Sequence, residues 1–194
     1  MAIDGTVPVP EPTCTFPSRD REGAVFQILL VVSLALVTGC RGPNLAGLTE
    51  EEPPQPSAEV QVADPLTSSQ LLSGWYKVEG KSWRWTARKF AMILRPPIGS
   101  VVKGATLTLN FAVPAVVISR LHSVTLWASI QNTKLSPETY EQGGRAVYTR
   151  DVPASLLSGG TVHIEFEMNR AMVPGNGDNR ELGIIADRIS LETK

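Results

Sequence analysis

Cysteine is nearly absent from this chain, and the two present, Cys14 and Cys40, both fall within its first forty residues. Everything downstream therefore lacks a thiol for a disulfide, a metal or a nucleophile. Histidine is as scarce: His122 and His163 are the only two, and they are far apart in sequence. With no H-E-x-x-H, no G-x-S-x-G and no closely spaced pair of histidines, the common zinc and serine-hydrolase signatures are missing. An excess of one charge is missing too, with 18 Lys and Arg against 19 Asp and Glu. No basic tract is present to hold a polyanion, so nucleic acid is excluded as a partner. Nor does any apolar run reach the roughly 20 residues of a spanning helix.

The longest apolar run is AVFQILLVVSLALV, residues 24 to 37, preceded by Arg19 and Arg21 and followed at once by Thr38, Gly39 and Cys40. Its length is that of a signal-peptide core. Leu36-Val37-Thr38-Gly39-Cys40 resembles the lipobox of bacterial lipoproteins. The resemblance implies a signal peptide over residues 1–39, lipidation of Cys40, and a mature chain anchored in the bacterial cell envelope. Arg41 stands where an Asp often retains such proteins at the inner membrane, so in a Gram-negative cell the outer membrane or a periplasm-facing position is implied. Two or more acyl chains give stable anchoring where one gives only marginal binding.

Residues 40–70 combine the candidate lipidation site with a stretch rich in Pro, Glu, Ser and Gly. That composition predicts a disordered linker.

From residue 71 to 194 the periodicity is that of strands. Ala105, Leu107, Leu109, Phe111 and Val113 alternate with Thr106, Thr108 and Asn110, and Val162, Ile164, Phe166 and Met168 alternate with His163, Glu165 and Glu167. Further strands are expected at 74–79, 82–94 (with a break), 115–119, 122–130, 145–150 and 183–192, separated by Gly- and Pro-rich turns. SPETYEQ and VPASLL each have room for one short helical turn at most. About eight short strands with one-sided hydrophobicity predict an all-β domain, an antiparallel β-sandwich of jelly-roll type.

The order G-W-Y…W-R-W, then V-P-A-S-L-L, then D-N-R-E-L-G-I-I-A-D-R-I-S-L resembles galactose-binding-type and carbohydrate-binding β-sandwich modules. The resemblance covers about the last 120 residues and bears on fold more than on ligand.

The stretch GWYKVEGKSWRW, residues 74 to 85, holds three of the four Trp around a Gly-Lys-Ser. A phosphate-binding loop needs four residues between its first Gly and the Gly-Lys-Ser, and a helix after it. Five lie between Gly74 and Gly80, and strand pattern follows, so GKS is expected to be a turn. The aromatics allow two readings. Trp83 with Arg84, and Trp127 on the polar side of its strand with Thr125 and Ser129, are candidate ligand contacts, because an indole stacks on the apolar side of a sugar while Arg bonds hydroxyls. Equally, Trp fills sandwich cores.

Glu165 and Glu167 share a strand face at a separation that glycosidases use, although such a pair is ordinarily a solvated face. In PGNGDNRELG, Asn176, Asp178, Asn179 and Glu181 offer oxygens of the kind a structural calcium takes, with Asp178 and Glu181 the candidate ligands. The same residues suit a tight turn, with Arg180 and Glu181 pairing to fix the loop. No other cofactor is expected, and no enzyme activity. Two functions stay open: a lipid-anchored envelope protein that binds glycan or polysaccharide, or a structural or assembly lipoprotein that binds another envelope protein and no sugar.

Overall fold

A computed structural model describes residues 55–175 and 177–194. In chain order the strands and helices are β1 (Glu59–Gln61), β2 (Leu71–Glu79), β3 (Trp83–Leu94), α1 (Ser100–Lys103), β4 (Ala105–Val113), α2 (Ala115–Leu121), β5 (Val124–Ile130), β6 (Thr133–Lys134), β7 (Glu138–Tyr140), β8 (Gly144–Val152), β9 (Val162–Met168) and β10 (Ile185–Thr193). All their pairings are antiparallel, in the order β6-β5-β9-β3-β10-β4-β8, with β1 on β10, β2 on β3 and β7 on β5.

The period-two pattern acts as expected. Along β4 every odd-numbered residue from Ala105 to Val113 is buried and every even one is partly exposed; β5 and β9 alternate in the same way. One face of each strand is thereby committed to a core. The chain meets this demand by curling the sheet on itself. β8, at one end of the strand order, reaches across to β5 near the other: the Tyr148 hydroxyl accepts from Ala128 N at 3.1 Å and donates to Ser136 O at 2.9 Å. Arg150 seals the same seam, donating to Ser136 O at 2.6 Å and pairing with Glu138 at 2.9 Å. Burial pushes the Tyr148 hydroxyl above its ordinary pKa. Within the sandwich Phe90 stacks on Phe166 at 4.9 Å, and Tyr148 meets Phe166 edge-on at 6.4 Å.

β3 makes the curl possible. Its first residues pair with β10 and its last six with β9, so one uninterrupted strand passes from one half of the sandwich to the other. The break expected within 82–94 does not occur. Irregular register against β2 absorbs the bend, and Gly74 sits there at φ +74 with Lys89 O so near that a Cβ would overlap it.

Three other expectations change. Residues 115–119 are helical, because Pro114 opens α2 and Val117, Ile118 and Leu121 then turn together toward the core, a helical spacing. The β-branched run AVVI imitates a strand only in propensity. SPETYEQ contributes β7 rather than a helical turn, whereas VPASLL does form a single 3-10 turn at Ala154–Leu156. The domain also begins earlier than residue 71. Val60 and Val62 are fully buried, β1 pairs with β10, and a 3-10 turn over Pro65–Gln70 leads into β2. Composition averaged over residues 40–70 hid the short alternating segment EVQV, which needs only two buried valines to join the sheet. The expected signal peptide, Cys40 and the expected linker as far as residue 54 lie outside the described residues.

Candidate functional site

The Gly-Lys-Ser is a hairpin turn. Gly80 and Lys81 both take positive φ and Ser82 N donates to Glu79 O at 3.3 Å, connecting β2 to β3. The Trp83 indole folds back against this turn, where a Cβ on Gly80 would stand 2.4 Å from its Nε1. Gly80 is thus required twice, for its backbone and for the ring beside it.

That placement sets half-buried Trp83 at the rim of a concave surface of about 600 Å³ on the outer side of β1, β10 and β4, with Gln61, Asn110, Arg145, Asp187 and Arg188 around it. Sheet register assembles these residues. Gln61 pairs with Arg188 and Arg188 with Asn110, forming one row across three strands; Ala112 pairs with both Ile185 and Arg145 in the next. A register shift between Ala186 and Arg188 inserts Asp187. Bulges of this kind re-aim a side chain. The charges are partly compensated: Arg145 lies 3.4 Å from Asp187 and Arg188 lies 2.8 Å from Glu59. Asp187 Oδ1 and Arg188 Nε, both on buried atoms, have no hydrogen-bond partner.

Arg84 does not join Trp83. Its side chain points away and is consumed by the backbone, with Nε donating to Val62 O at 2.6 Å and Nη1 to Tyr76 O at 2.8 Å. It clamps the exit of β1 to β2, a structural task that corrects its assignment as a ligand contact. Arg84→Ala is expected to lower unfolding free energy by about 2 kcal/mol, since it strands two partly buried carbonyls. Urea titration checks this; an unchanged midpoint would show that water replaces the guanidinium at no cost.

Trp127 is on the outer face of β5 as its alternation predicts, opposite Glu167 on β9. Its ring is covered, with Lys134 Nζ 3.6 Å from the centroid, a cation–π contact. It shares no lining with the Trp83 surface. Trp75 and Trp85 are half-buried against the core; Trp75 meets Phe90 edge-on at 5.0 Å and its indole N–H donates to Ala91 O at 2.8 Å.

Asp178 and Glu181 do not converge on a cation site. Both Asp178 oxygens accept from Arg180, at 2.8 to 3.2 Å, and Arg180 also donates to Glu79 at 2.7 Å. These bonds hold the Asp178 carboxyl below the usual range and raise Arg180. Glu181 instead accepts from Arg88 N at 3.0 Å, while its own carbonyl takes the Tyr76 hydroxyl at 2.9 Å. Arginines thus take the oxygens of both carboxylates, and no cluster of three metal-ligating side chains exists among the described residues. Asn176 lies outside them. Exhaustive chelation should leave the melting temperature unchanged; a fall restored by calcium would reinstate the ion.

Glu167 is likewise engaged, by Arg88 at 3.0 Å and Lys89 at 3.1 Å, while Glu165 has His163 at 3.7 Å. Glu167 is thus salt-bridged on the sheet surface. Sequence reasoning passed over Gln61, Asn110, Arg145, Asp187 and Arg188 because each is an ordinary outward residue until four strands are laid side by side. The polar side of the β4 alternation was the one available signal, and it marked Asn110.

No protein-family model matches the chain, and no curated protein does. Among solved structures it is similar to a carbohydrate-binding module, TmCBM27, described for specific mannan recognition, with TM-score 0.42 and 13% identity over 70% of this chain and 95% of that one. It is also similar to CsCBM6-3 from Clostridium stercorarium in complex with cellobiose, with TM-score 0.38 and 12% identity over 72% of this chain and 98% of that one. A third likeness is to the CBM36-1 domain of a multidomain xylanase from the hindgut metagenome of Trinervitermes trinervoides, with TM-score 0.33 and 13% identity over 55% of this chain and 71% of that one.

Proposed function

We propose that this protein is a non-catalytic, lipid-anchored component of a bacterial cell envelope whose β-sandwich binds glycan in the surface beside Trp83. The observation that carries the reading is the company Trp83 keeps. One indole borders a concave surface lined by two amides, two guanidinium groups and a carboxylate. Such a set suits a sugar, whose ring offers an apolar face for stacking and an equatorial rim of hydroxyls that donate and accept at once. Planar amides answer both, while the guanidinium groups donate to the hydroxyl oxygens and the carboxylate accepts from the hydroxyl protons. A purely apolar ligand would leave five polar side chains to desolvate without return.

The binding reading is tested by titrating the full chain, in detergent, with a panel of soluble polysaccharides and envelope glycans. Saturable binding to at least one is expected. Failure across the panel would turn the assignment to the alternative of an envelope protein as partner.

The anchor is tested separately. Cys40→Ser is expected to abolish incorporation of labelled acyl chains and processing of the leader. A Cys40→Ser chain that is still acylated would refute lipidation at this residue while leaving glycan binding untouched.

A further inference from the structure

After β3 the chain runs through Arg95, Pro96, Pro97, Ile98 and Gly99 into α1 and returns as β4. Ile98 is 100% exposed, Val102 81% and Val101 55%. Single outward aliphatics are ordinary, but three within five residues form a patch. The patch is held outward on a fixed frame. Ser100 N donates to Pro97 O at 3.1 Å, Val102 N to Gly99 O at 3.1 Å and Gly104 N to Ser100 O at 2.8 Å. The Thr193 hydroxyl fastens Ile98 O at 2.9 Å, and Ser100 beneath is fully buried. Two prolines stiffen the approach.

The charges on the tip itself have one sign. Arg95 and Lys103 flank it, both exposed and in no ion pair among the described residues, and no acidic residue lies between them. Two acids stand across from it, in register on either side of Thr106: Asp151, held by Lys194 at 2.9 Å, and Glu192, which accepts from Ser190 Oγ at 3.3 Å.

The position of the tip matters as much as its chemistry. Ser57 O accepts from Arg95 N at 3.0 Å, so the preceding chain joins the sandwich at the strand ends that carry the tip. That preceding chain leads back to Cys40, the lipidation site of the proposed function, seventeen residues before Ser57. Seventeen residues span at most about 60 Å. The Trp83 surface lies toward the other end: β4 starts at Ala105 beside the tip and reaches that surface at Asn110 to Ala112, about 17 to 24 Å further on.

We propose that Ile98, Val101 and Val102 dock this end of the domain on an anionic lipid surface, with the aliphatic side chains among the headgroups and Arg95 and Lys103 at the level of the phosphates. Aliphatic burial at the interface together with attraction to anionic lipid is the ordinary chemistry of reversible membrane contact. The docking orients the domain so that Trp83 faces away from the bilayer. It stands independently of what the Trp83 surface binds.

The test uses the full chain with Cys14→Ser, Cys40→Ser and Val102→Cys, the last carrying an environment-sensitive fluorophore, in vesicles of phosphatidylcholine with about one-quarter phosphatidylglycerol. Emission is read on the chain that floats with the vesicles, and a chain that does not float at all counts against the docking. A blue-shifted emission and quenching by doxyl-labelled lipid are expected at position 102, and an aqueous signal from Lys81→Cys at the far hairpin. Adding Ile98→Ser and Val101→Ser is expected to reduce the quenching several-fold with circular dichroism unchanged. A label at 102 as aqueous as that at 81 would overturn the proposal. So would a shielded label that doxyl lipid fails to reach, which assigns the tip to a second copy of the chain. Equal quenching in pure phosphatidylcholine would overturn the anionic preference. Glycan titration of the same Ile98→Ser, Val101→Ser chain should match the unsubstituted protein.

Discussion

Trp83→Ala is expected to weaken binding of the responsive polysaccharide about 30-fold, the equivalent of about 2 kcal/mol for a central Trp contact. The same titration on Trp127→Ala should stay within about twofold, because Lys134 already occupies that ring and any ligand would have to displace a cation–π contact. The two substitutions discriminate well. Trp83 adds little to the core, being half-buried at the hairpin, so its loss is read as affinity rather than unfolding. Asn110→Ala and Asp187→Ala should each reduce affinity further than their exposure suggests if they bond sugar hydroxyls. Were Trp127→Ala the damaging change and Trp83→Ala silent, the site would move to the outer face of β5 and β9, and the surface beside Trp83 would lose its assignment.

The largest structural effect is expected from Phe166→Ala, at about 4 kcal/mol of unfolding free energy. Phe166 is 1% exposed and stands between two aromatic partners, stacked on Phe90 from β3 and edge-on to Tyr148 from β8. Its removal opens a cavity where both halves of the curled sheet meet, and neither half can close over it without breaking the Tyr148 bridge to Ala128 and Ser136. A domain of this size has about 5 to 15 kcal/mol in all, so the variant should be marginal. Glu165→Ala, one residue away on the solvent face, should cost no more than about 0.5 kcal/mol. Urea denaturation of the two variants measures the difference. Near-equal midpoints would mean that the core repacks freely and that the aromatic stack is incidental.

The fold was largely legible because its signal is local. In β4, β5 and β9 the side-chain period is two and one face is buried, so alternation appears residue by residue. Legibility failed where the structure depends on distant partners. EVQV at residues 59–62 is too short to announce a strand, and only β10 beside it gives Val60 and Val62 somewhere to be buried. The run AVVI after Pro114 has strand propensity, yet the space against the core accepts one helical face and no further strand. Propensity is a weak prior when tertiary packing decides.

The candidate site divides in the same way. Its aromatic element was visible as a cluster in residues 74–85, and the failure of GKS as a phosphate loop followed from its spacing and from the strand pattern after it. The partner of Trp83 was misjudged: Arg84 is its neighbour in sequence, but successive strand residues point to opposite faces. Gln61, Asn110, Arg145, Asp187 and Arg188 come from four strands and a bulge, and nothing in a linear reading relates them.

By itself, then, the sequence determined an antiparallel sandwich, the solvent side of each alternating strand and the absence of thiols after Cys40, since periodicity and composition are properties of neighbours along the chain. Tertiary structure decided which indole borders a concave surface, which arginine is spent on carbonyls, and that Asp178 and Glu181 answer to arginines rather than a cation. Those outcomes depend on sheet register and on the crossing of β3 between the two halves. Register is fixed by the sum of all burial and hydrogen bonding at once, and no short stretch of residues carries that sum.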